Sequence, residues 1–386
     1  MRKLALTLLL TAVAAAALLG GAAADRYRPP SQVFDRSAEP GALEAKLDRA
    51  LAEAAKSQPG QAFWVGYDID RLQGENSHIG SYSDGWRGRR LSIADILAGK
   101  RGSSEAEPSA GEIREAAKAA LEDAGKHEKP EKQVVKELGF FLKYEAGRPP
   151  VLAKVEMSNL ELSFDFEGAP LYWLGKAPEE SSIKLAGLLY GQNAGEKVRE
   201  GLIAAAGCHG TPKLVLPLLS SIVSGNDPDK LRKDATFWIS QQNDPGGLDL
   251  LVKTARSDRS REVREGAVFG ISQVELPAAA DELIVLAKSA DKKDVRKQAV
   301  FWLSQLASNK SGRALEEIAV KDGDLEIQEQ AVFALSQLPE NQGLDALIKL
   351  ARTHPDPRIR KKAVFWLGEC DDPRALDAII SIIKGK

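Results

Sequence analysis

DATFWISQ at residues 234–241, GAVFGISQ at 266–273, QAVFWLSQ at 298–305, QAVFALSQ at 330–337 and KAVFWLGE at 362–369 decide the fold. They set Ala235, Ala267, Ala299, Ala331 and Ala363 at a constant spacing of 32 residues. A fixed period of about 20 to 50 residues marks stacked supersecondary units, none of which can bury its apolar face without its neighbours. Between these segments lie shorter apolar stretches: LDLLVKTA, ADELIVLAKSA, ALEEIAV, LDALIKLA and ALDAIISII. Each unit therefore predicts an antiparallel helix pair. Upstream, KVREGLIAAAG and APLYWLGK read as more diverged copies, which extends the array over 167–386.

The recurring order of an apolar residue, Arg, two polar residues, Ala and then Leu/Ile with Gly/Ser resembles the HEAT repeat. It is carried by Val263, Arg264, Ala267, Ile271 and Ser272, by Val295, Arg296, Ala299, Leu303 and Ser304, and by Ile359, Arg360, Ala363, Leu367 and Gly368. The resemblance is to the short bacterial variety related to the phycobilin-lyase repeats, and it covers about 181–386. It implies an α-solenoid whose second helices line the concave face. It carries no chromophore-handling motif, and the only His-Glu pair, His127-Glu128, falls short of the four pairs of the HEAT-repeat hydroxylases.

On a helical wheel with Val263 at zero and about 100° per residue, Ala267, Ile271, Gly270 and Val274 cluster on one side while Phe269, Ser272 and Gln273 lie away from it. The outer position is aromatic in all five regular repeats: Phe237, Phe269, Phe301, Phe333 and Phe365. Gln241, Gln273, Gln305, Gln337 and Glu369 follow at i+4, beside Ser240, Ser272, Ser304, Ser336 and Gly368. An apolar stripe with amide neighbours suits an extended peptide or a partner helix. The competing reading lays each ring across the neighbouring helix as a packing ladder. The adjacent position alternates Trp238, Gly270, Trp302, Ala334, Trp366, large against small, as interdigitated packing requires.

Residues 25–41 hold three prolines without periodicity and read as a linker, and 42–57 as a helix, so 25–60 precedes a small α+β domain at 61–166. Within that domain Gln61–Ile69 reads as a strand, 71–90 as a loop and Ser109–Gly125 as a helix. Alternation at Leu138–Tyr144, Val151–Met157 and Leu160–Phe166 predicts an antiparallel sheet with one buried face. The predicted fold class is an α-solenoid of HEAT-like helix pairs preceded by a small α+β domain with an antiparallel sheet.

Composition limits the chemistry. With 53 Lys+Arg against 55 Asp+Glu there is no polybasic footprint, so no nucleic acid is expected. Two cysteines and four histidines supply neither a disulfide scaffold nor an obvious metal centre, and no cofactor or metal is expected. Cys208 and Cys370, five repeats or about 50 Å apart, cannot bond within one chain. Arg2 and Lys3 before an uncharged stretch ending at Ala22-Ala23-Ala24 read as a signal peptide over 1–24, which predicts a periplasmic or secreted chain with no integral membrane span after cleavage; the alternative is an uncleaved anchor over Leu4–Ala24. The loop GENSHIGSYSDGWRGRR gathers His78, Ser81, Ser83, Asp84 and Trp86 near Asp68 and Asp70, with no nucleophile elbow around either serine. The preferred function is a non-enzymatic, protein- or peptide-binding scaffold of the envelope. The competing one is a hydrolase- or lyase-like enzyme with its site in 61–166 or at its junction with the repeats. The final helix, with Leu376, Ile379, Ile380, Ile382 and Ile383, leaves an apolar side expected to dock onto a second copy or another protein.

Overall fold

The computed structural model describes residues 27–80, 91–100, 132–193, 195–306 and 309–384. The chain divides into two compact units, Met1–Lys176 and Ala177–Lys386.

The first unit contains β1 (Val33–Asp35), α1 (Leu43–Ser57), β2 (Phe63–Gly74), α2 (Ile93–Leu97), β3 (Gln133–Glu145), β4 (Val151–Asn159) and β5 (Leu171–Lys176). The strands form one sheet in the order β1-β5-β2-β3-β4. It is mixed, not purely antiparallel: β3 and β4 pair antiparallel as expected, β2 adds antiparallel to β3, and β5 pairs in parallel with both β1 and β2. Both faces of its centre are covered. On one side Trp64, Phe141, Leu171 and Trp173 pack against Ile93 and Ile96 of α2 and against Leu160, Phe164 and Phe166. On the other, the Tyr172 hydroxyl meets Ser57 Oγ of α1 at 3.0 Å, and Phe63 stacks on Tyr144. A short capping box starts α2, with the Asp95 N–H donating to Ser92 Oγ and the Ser92 N–H to the Asp95 carboxylate.

Three sequence expectations are corrected here. APLYWLGK is no helical repeat: Leu171–Lys176 is a central strand, its side chains buried on both faces. Val33–Asp35, expected in a linker, is the edge strand beside it. Leu160–Phe166 is not the third strand of a meander; after a turn it lies over one face of the sheet, where Leu160, Phe164 and Phe166 pack with Trp64 and Phe141, and Ile93 N–H and Ala94 N–H donate to the carbonyls of Leu162 and Leu160. The helix expected at 109–125 and the leader at 1–24 lie outside the described residues.

The second unit is built from helix pairs: α3 (Glu179–Gln192) with α4 (Glu196–Gly207), α5 (Pro212–Ser224) with α6 (Asp229–Ser240), α7 (Pro245–Ser257) with α8 (Arg261–Gln273), α9 (Pro277–Ser289) with α10 (Lys293–Gln305), α11 (Asn309–Lys321) with α12 (Leu325–Ser336), and α13 (Leu344–Thr353) with α14 (Pro357–Gly368), followed by α15 (Pro373–Ile383). The local start signals are chemical. Asp244, Asp356 and Asp372 accept backbone N–H groups two residues on, and a proline occupies the next position, where its missing N–H is harmless.

Successive second helices pack on each other more closely than successive first helices do, so the array curves with the second helices on its inner side. Their conserved-spacing alanines, Ala235, Ala267, Ala299, Ala331 and Ala363, are fully buried and let neighbouring backbones approach. A ladder of ion pairs links one repeat to the next. Arg199 reaches Asp227 at 2.8 Å, Arg264 reaches Asp294 at 2.6 Å, and Arg232 and Arg296 bond Asp258 and Asp322. Arg360, in the last pair, donates instead to the carbonyls of His354 and Pro355 at 2.6 and 2.9 Å.

Candidate functional site

Two ladders run along the second helices α6, α8, α10, α12 and α14, and both follow from the repeated FxxSQ spacing. At i+3 from each Phe the serine hydroxyl lies over the phenylalanine carbonyl, one turn back in the helix. Ser240, Ser272, Ser304 and Ser336 donate to the carbonyls of Phe237, Phe269, Phe301 and Phe333 at 2.6, 2.6, 2.6 and 2.7 Å. The same hydroxyl oxygens then accept from the Nε2 of Gln241, Gln273, Gln305 and Gln337, at 3.2, 3.0, 3.1 and 3.1 Å. Each hydroxyl thus acts once as donor and once as acceptor. Ser240, Ser272 and Ser304 are buried, so they position the amides and do not themselves line the open face, while Ser336 is half-buried. Each glutamine uses one N–H in this relay and keeps its oxygen and second N–H for other partners.

The rings form the second ladder. Phe237, Phe269, Phe301 and Phe333 are half-buried, and Phe365 is 57% exposed. Phe237 and Phe269 stack 6.5 Å apart at 8°. Where the following repeat carries Trp, that indole takes the place of the next ring: Phe269 meets Trp302 at 5.0 Å and Phe333 meets Trp366 at 5.1 Å. Each Trp also meets its own repeat's Phe edge-on, as Phe301 with Trp302 and Phe365 with Trp366 at 5.0 Å. The large-small alternation places Gly270 and Ala334, both buried, one repeat before these indoles. Trp238 lies directly over Gly207, where any Cβ would collide with the indole. The indole N–H groups of Trp302 and Trp366 are buried without a hydrogen-bond partner, so packing governs where these side chains sit.

The sequence anticipated an either-or between display and burial, and the rings satisfy neither extreme. The first four rings are half-buried and Phe365 is exposed, which leaves an aromatic strip with an amide beside each of its first four rings. The inter-repeat charges along the second helices are internally matched, as in Lys233–Glu262 at 3.2 Å, Lys293–Asp324 at 2.8 Å and Lys362–Glu329 at 3.1 Å. Sequence reasoning missed the serine relay, although Ser at i+3 and Gln at i+4 from one Phe was a readable signal.

The residues singled out in the first unit do not assemble into a nucleophilic site among the described residues. Ser81, Ser83, Asp84 and Trp86 lie outside those residues. His78 Nδ1 lies 2.9 Å from the Asn76 carbonyl, and its Nε2 lies 3.0 Å from Glu161, which also holds Lys136 at 2.7 Å. Asp70 pairs with Lys176 at 2.6 Å, and Lys176 also reaches Glu137 at 3.0 Å and Asp68 at 3.8 Å. Burial, opposed in part by Lys176, raises the Asp68 carboxyl to about 6. Cys208 is buried, Cys370 half-buried, and neither forms a disulfide.

The HEAT-repeat family model matches residues 216–304, 248–336 and 312–386, so the region 216–386 consists of HEAT repeats. Human deoxyhypusine hydroxylase in complex with glycerol is similar at 17% identity over 52% of this chain and 77% of that one, with a TM-score of 0.23. The CpcE–CpcF complex of phycocyanin lyase from Nostoc sp. is similar at 17% identity over 51% of this chain and 79% of that one, with a TM-score of 0.28. The S. pombe condensin Cnd3–Cnd2 subcomplex is similar at 17% identity over 54% of this chain and 31% of that one, with a TM-score of 0.32. No curated protein matches the chain.

Proposed function

We propose that the HEAT-repeat unit is a non-enzymatic scaffold of the cell envelope that binds a protein or an extended peptide along its second-helix face. The observation that carries this reading is the serine-held row of Gln241, Gln273, Gln305 and Gln337 beside the half-open rings of Phe237, Phe269, Phe301 and Phe333. Ring packing between repeats requires no amide at its rim, whereas a peptide backbone offers a donor and an acceptor to each carboxamide. Packed helices lie about 8–10 Å apart and an extended chain advances about 3.3 Å per residue, so one repeat spans about three peptide residues. The extracytoplasmic placement rests on the leader-like sequence at 1–24. Self-association through α15 belongs to the same proposal, because Leu376 and Ile383 stand 61% and 78% exposed there.

The test is affinity capture from the native envelope with the full chain and with the Gln273→Ala/Gln305→Ala/Gln337→Ala variant, read by mass spectrometry. A single protein captured by the first and lost from the second, at unchanged melting temperature, is the expected outcome. Equal capture by both removes the amide row from the binding face and overturns the reading.

A further inference from the structure

The ladder changes character at its last rung. Four repeats place an uncharged, serine-held glutamine at one register position, and the fifth places Glu369 there, with Gly368 where the serine stood. A Cβ on Gly368 would meet nothing within 4 Å, so crowding does not dictate the glycine. Its effect is to remove the hydroxyl that tethers the preceding amides, and Glu369 is exposed. Beside it lies a cavity of about 330 Å³, lined by Trp366, Leu344, Leu347, Gln337, Glu369 and Asp371 among others. Among the described residues neither Glu369 nor Asp371 has a cation within ion-pair distance, whereas Glu262, Glu326 and Glu329 of the preceding second helices each hold a lysine. Asp372, next in sequence, is already held by Arg374 at 2.9 Å.

We propose that this cavity binds a guanidinium group, presented as an arginine side chain of the peptide bound along the ladder. The inference rests on the peptide-binding reading above. A planar cation can lie against an indole face and still present paired N–H donors to carboxylates, which an ammonium cannot do with the same geometry. Trp366 supplies the aromatic wall and Glu369 with Asp371 the acceptors. The site fixes both the register and the direction of the bound chain, because a single charged rung ends a row of neutral ones.

The test uses the full chain, isothermal titration and three probes. The first is a capped peptide of Ala, Pro and Gln with one Arg, about twelve residues long so as to span about four repeats. The second is the same peptide with citrulline for Arg, and the third is free arginine amide. The Arg peptide is expected to bind at least about tenfold more tightly than the citrulline peptide, and Glu369→Gln/Asp371→Asn, a change at exposed positions, is expected to abolish the difference. Equal affinity of the two peptides, or a preference that survives the double substitution, overturns the guanidinium site while leaving the ladder intact. Arginine amide binding that the double substitution abolishes, with neither peptide binding more tightly than the amide alone, supports the site and overturns the ladder reading. Absence of binding by all three overturns both.

Discussion

The indole of Trp302 lies 5.0 Å from the ring of Phe269, one repeat back, at an interplanar angle of 47°. The contact joins two repeats, so it belongs to the interface energy that makes the array cooperative. Trp302→Ala is expected to destabilise the chain by about 2–4 kcal/mol, below the figure for a fully buried aromatic because Trp302 is half-buried. Phe365→Ser, at a ring 57% exposed, is expected to stay within about 1 kcal/mol. Urea titrations of both variants check this; a Phe365 variant as unstable as the Trp302 variant would mean that the strip is packing throughout.

Arg232 is 1% exposed. It donates to the Val223 carbonyl at 2.8 Å, to Asp229 at 3.1 Å and to Asp258 of the next repeat. Removing one partner from such a group leaves a buried charge without compensation. Asp258→Ala is therefore expected to destabilise by about 3–5 kcal/mol, and Arg232→Met, which removes the charge and keeps the stem volume, by clearly less. Equilibrium unfolding of the two variants gives the order, and an inverted order would show that the guanidinium's own bonds outweigh its need for the carboxylate.

Much of the solenoid was legible because its signal is repetition. Ala267, Ile271 and Gly270 fell on one side of a wheel, and the fully buried alanines at intervals of 32 residues are that same pattern seen in space. The sheet was legible only where one face is buried and the other wet. In β5 the run Leu171–Gly175 is buried on both faces, so it carries no alternation and reads equally well as a core helix. Leu160, Phe164 and Phe166 do alternate, but alternation reports which side chains turn inward, not whether the backbone finds a strand partner, and theirs lies over one face of the sheet. In the ladder, the wheel located Phe269 and Gln273 but assigned Ser272 to the open face; the hydroxyl's bond to the carbonyl three residues back draws it under cover.

Asp68 gives the first unit a pH dependence of known sign. Its carboxyl is raised to about 6 by burial, with Glu137 and Asp70 adding repulsion and Lys176 opposing it. A folded carboxyl that binds its proton more tightly than the unfolded one favours folding when protonated. The stability contributed by this group is thus full below about pH 4, declines as the pH rises from about 4 to about 6, and is flat above, a loss of about 2–3 kcal/mol. Asp68→Asn is expected to be more stable than the parent at pH 7 and equal to it near pH 4. Parallel unfolding curves for the two proteins across that window would refute the assignment.

The Ser304–Gln305 pair separates positioning from packing. Ser304 is fully buried and donates to the Phe301 carbonyl, which the helix already bonds, so Ser304→Ala is expected to change stability by less than about 1 kcal/mol. It nevertheless frees the Gln305 amide to rotate. In the Ser272→Ala/Ser304→Ala/Ser336→Ala variant, binding of the captured partner is expected to weaken by about tenfold, the consequence of ordering three side chains at about 0.5 kcal/mol each. Unchanged affinity would place the recognition elsewhere on the rings.

The end of the array carries the last expectation. Leu376, Ile380 and Ile383 follow one another at i, i+4 and i+7 on α15, so they lie in one stripe along the helix. All three are exposed, whereas 32 residues earlier on α13 Leu344 and Ala351 are buried and Ile348 is half-buried. Among the described residues no helix covers this stripe of α15, which stays apolar instead of turning a polar face to water. A second copy offers the same stripe in return, and a twofold axis across α15 would bury both at once. Sedimentation velocity over a range of concentrations is expected to show a monomer–dimer equilibrium. Leu376→Glu/Ile383→Glu, at positions with few internal contacts to lose, is expected to leave a monomer of unchanged melting temperature. A parent chain that stays monomeric at high concentration would assign the stripe to a different protein.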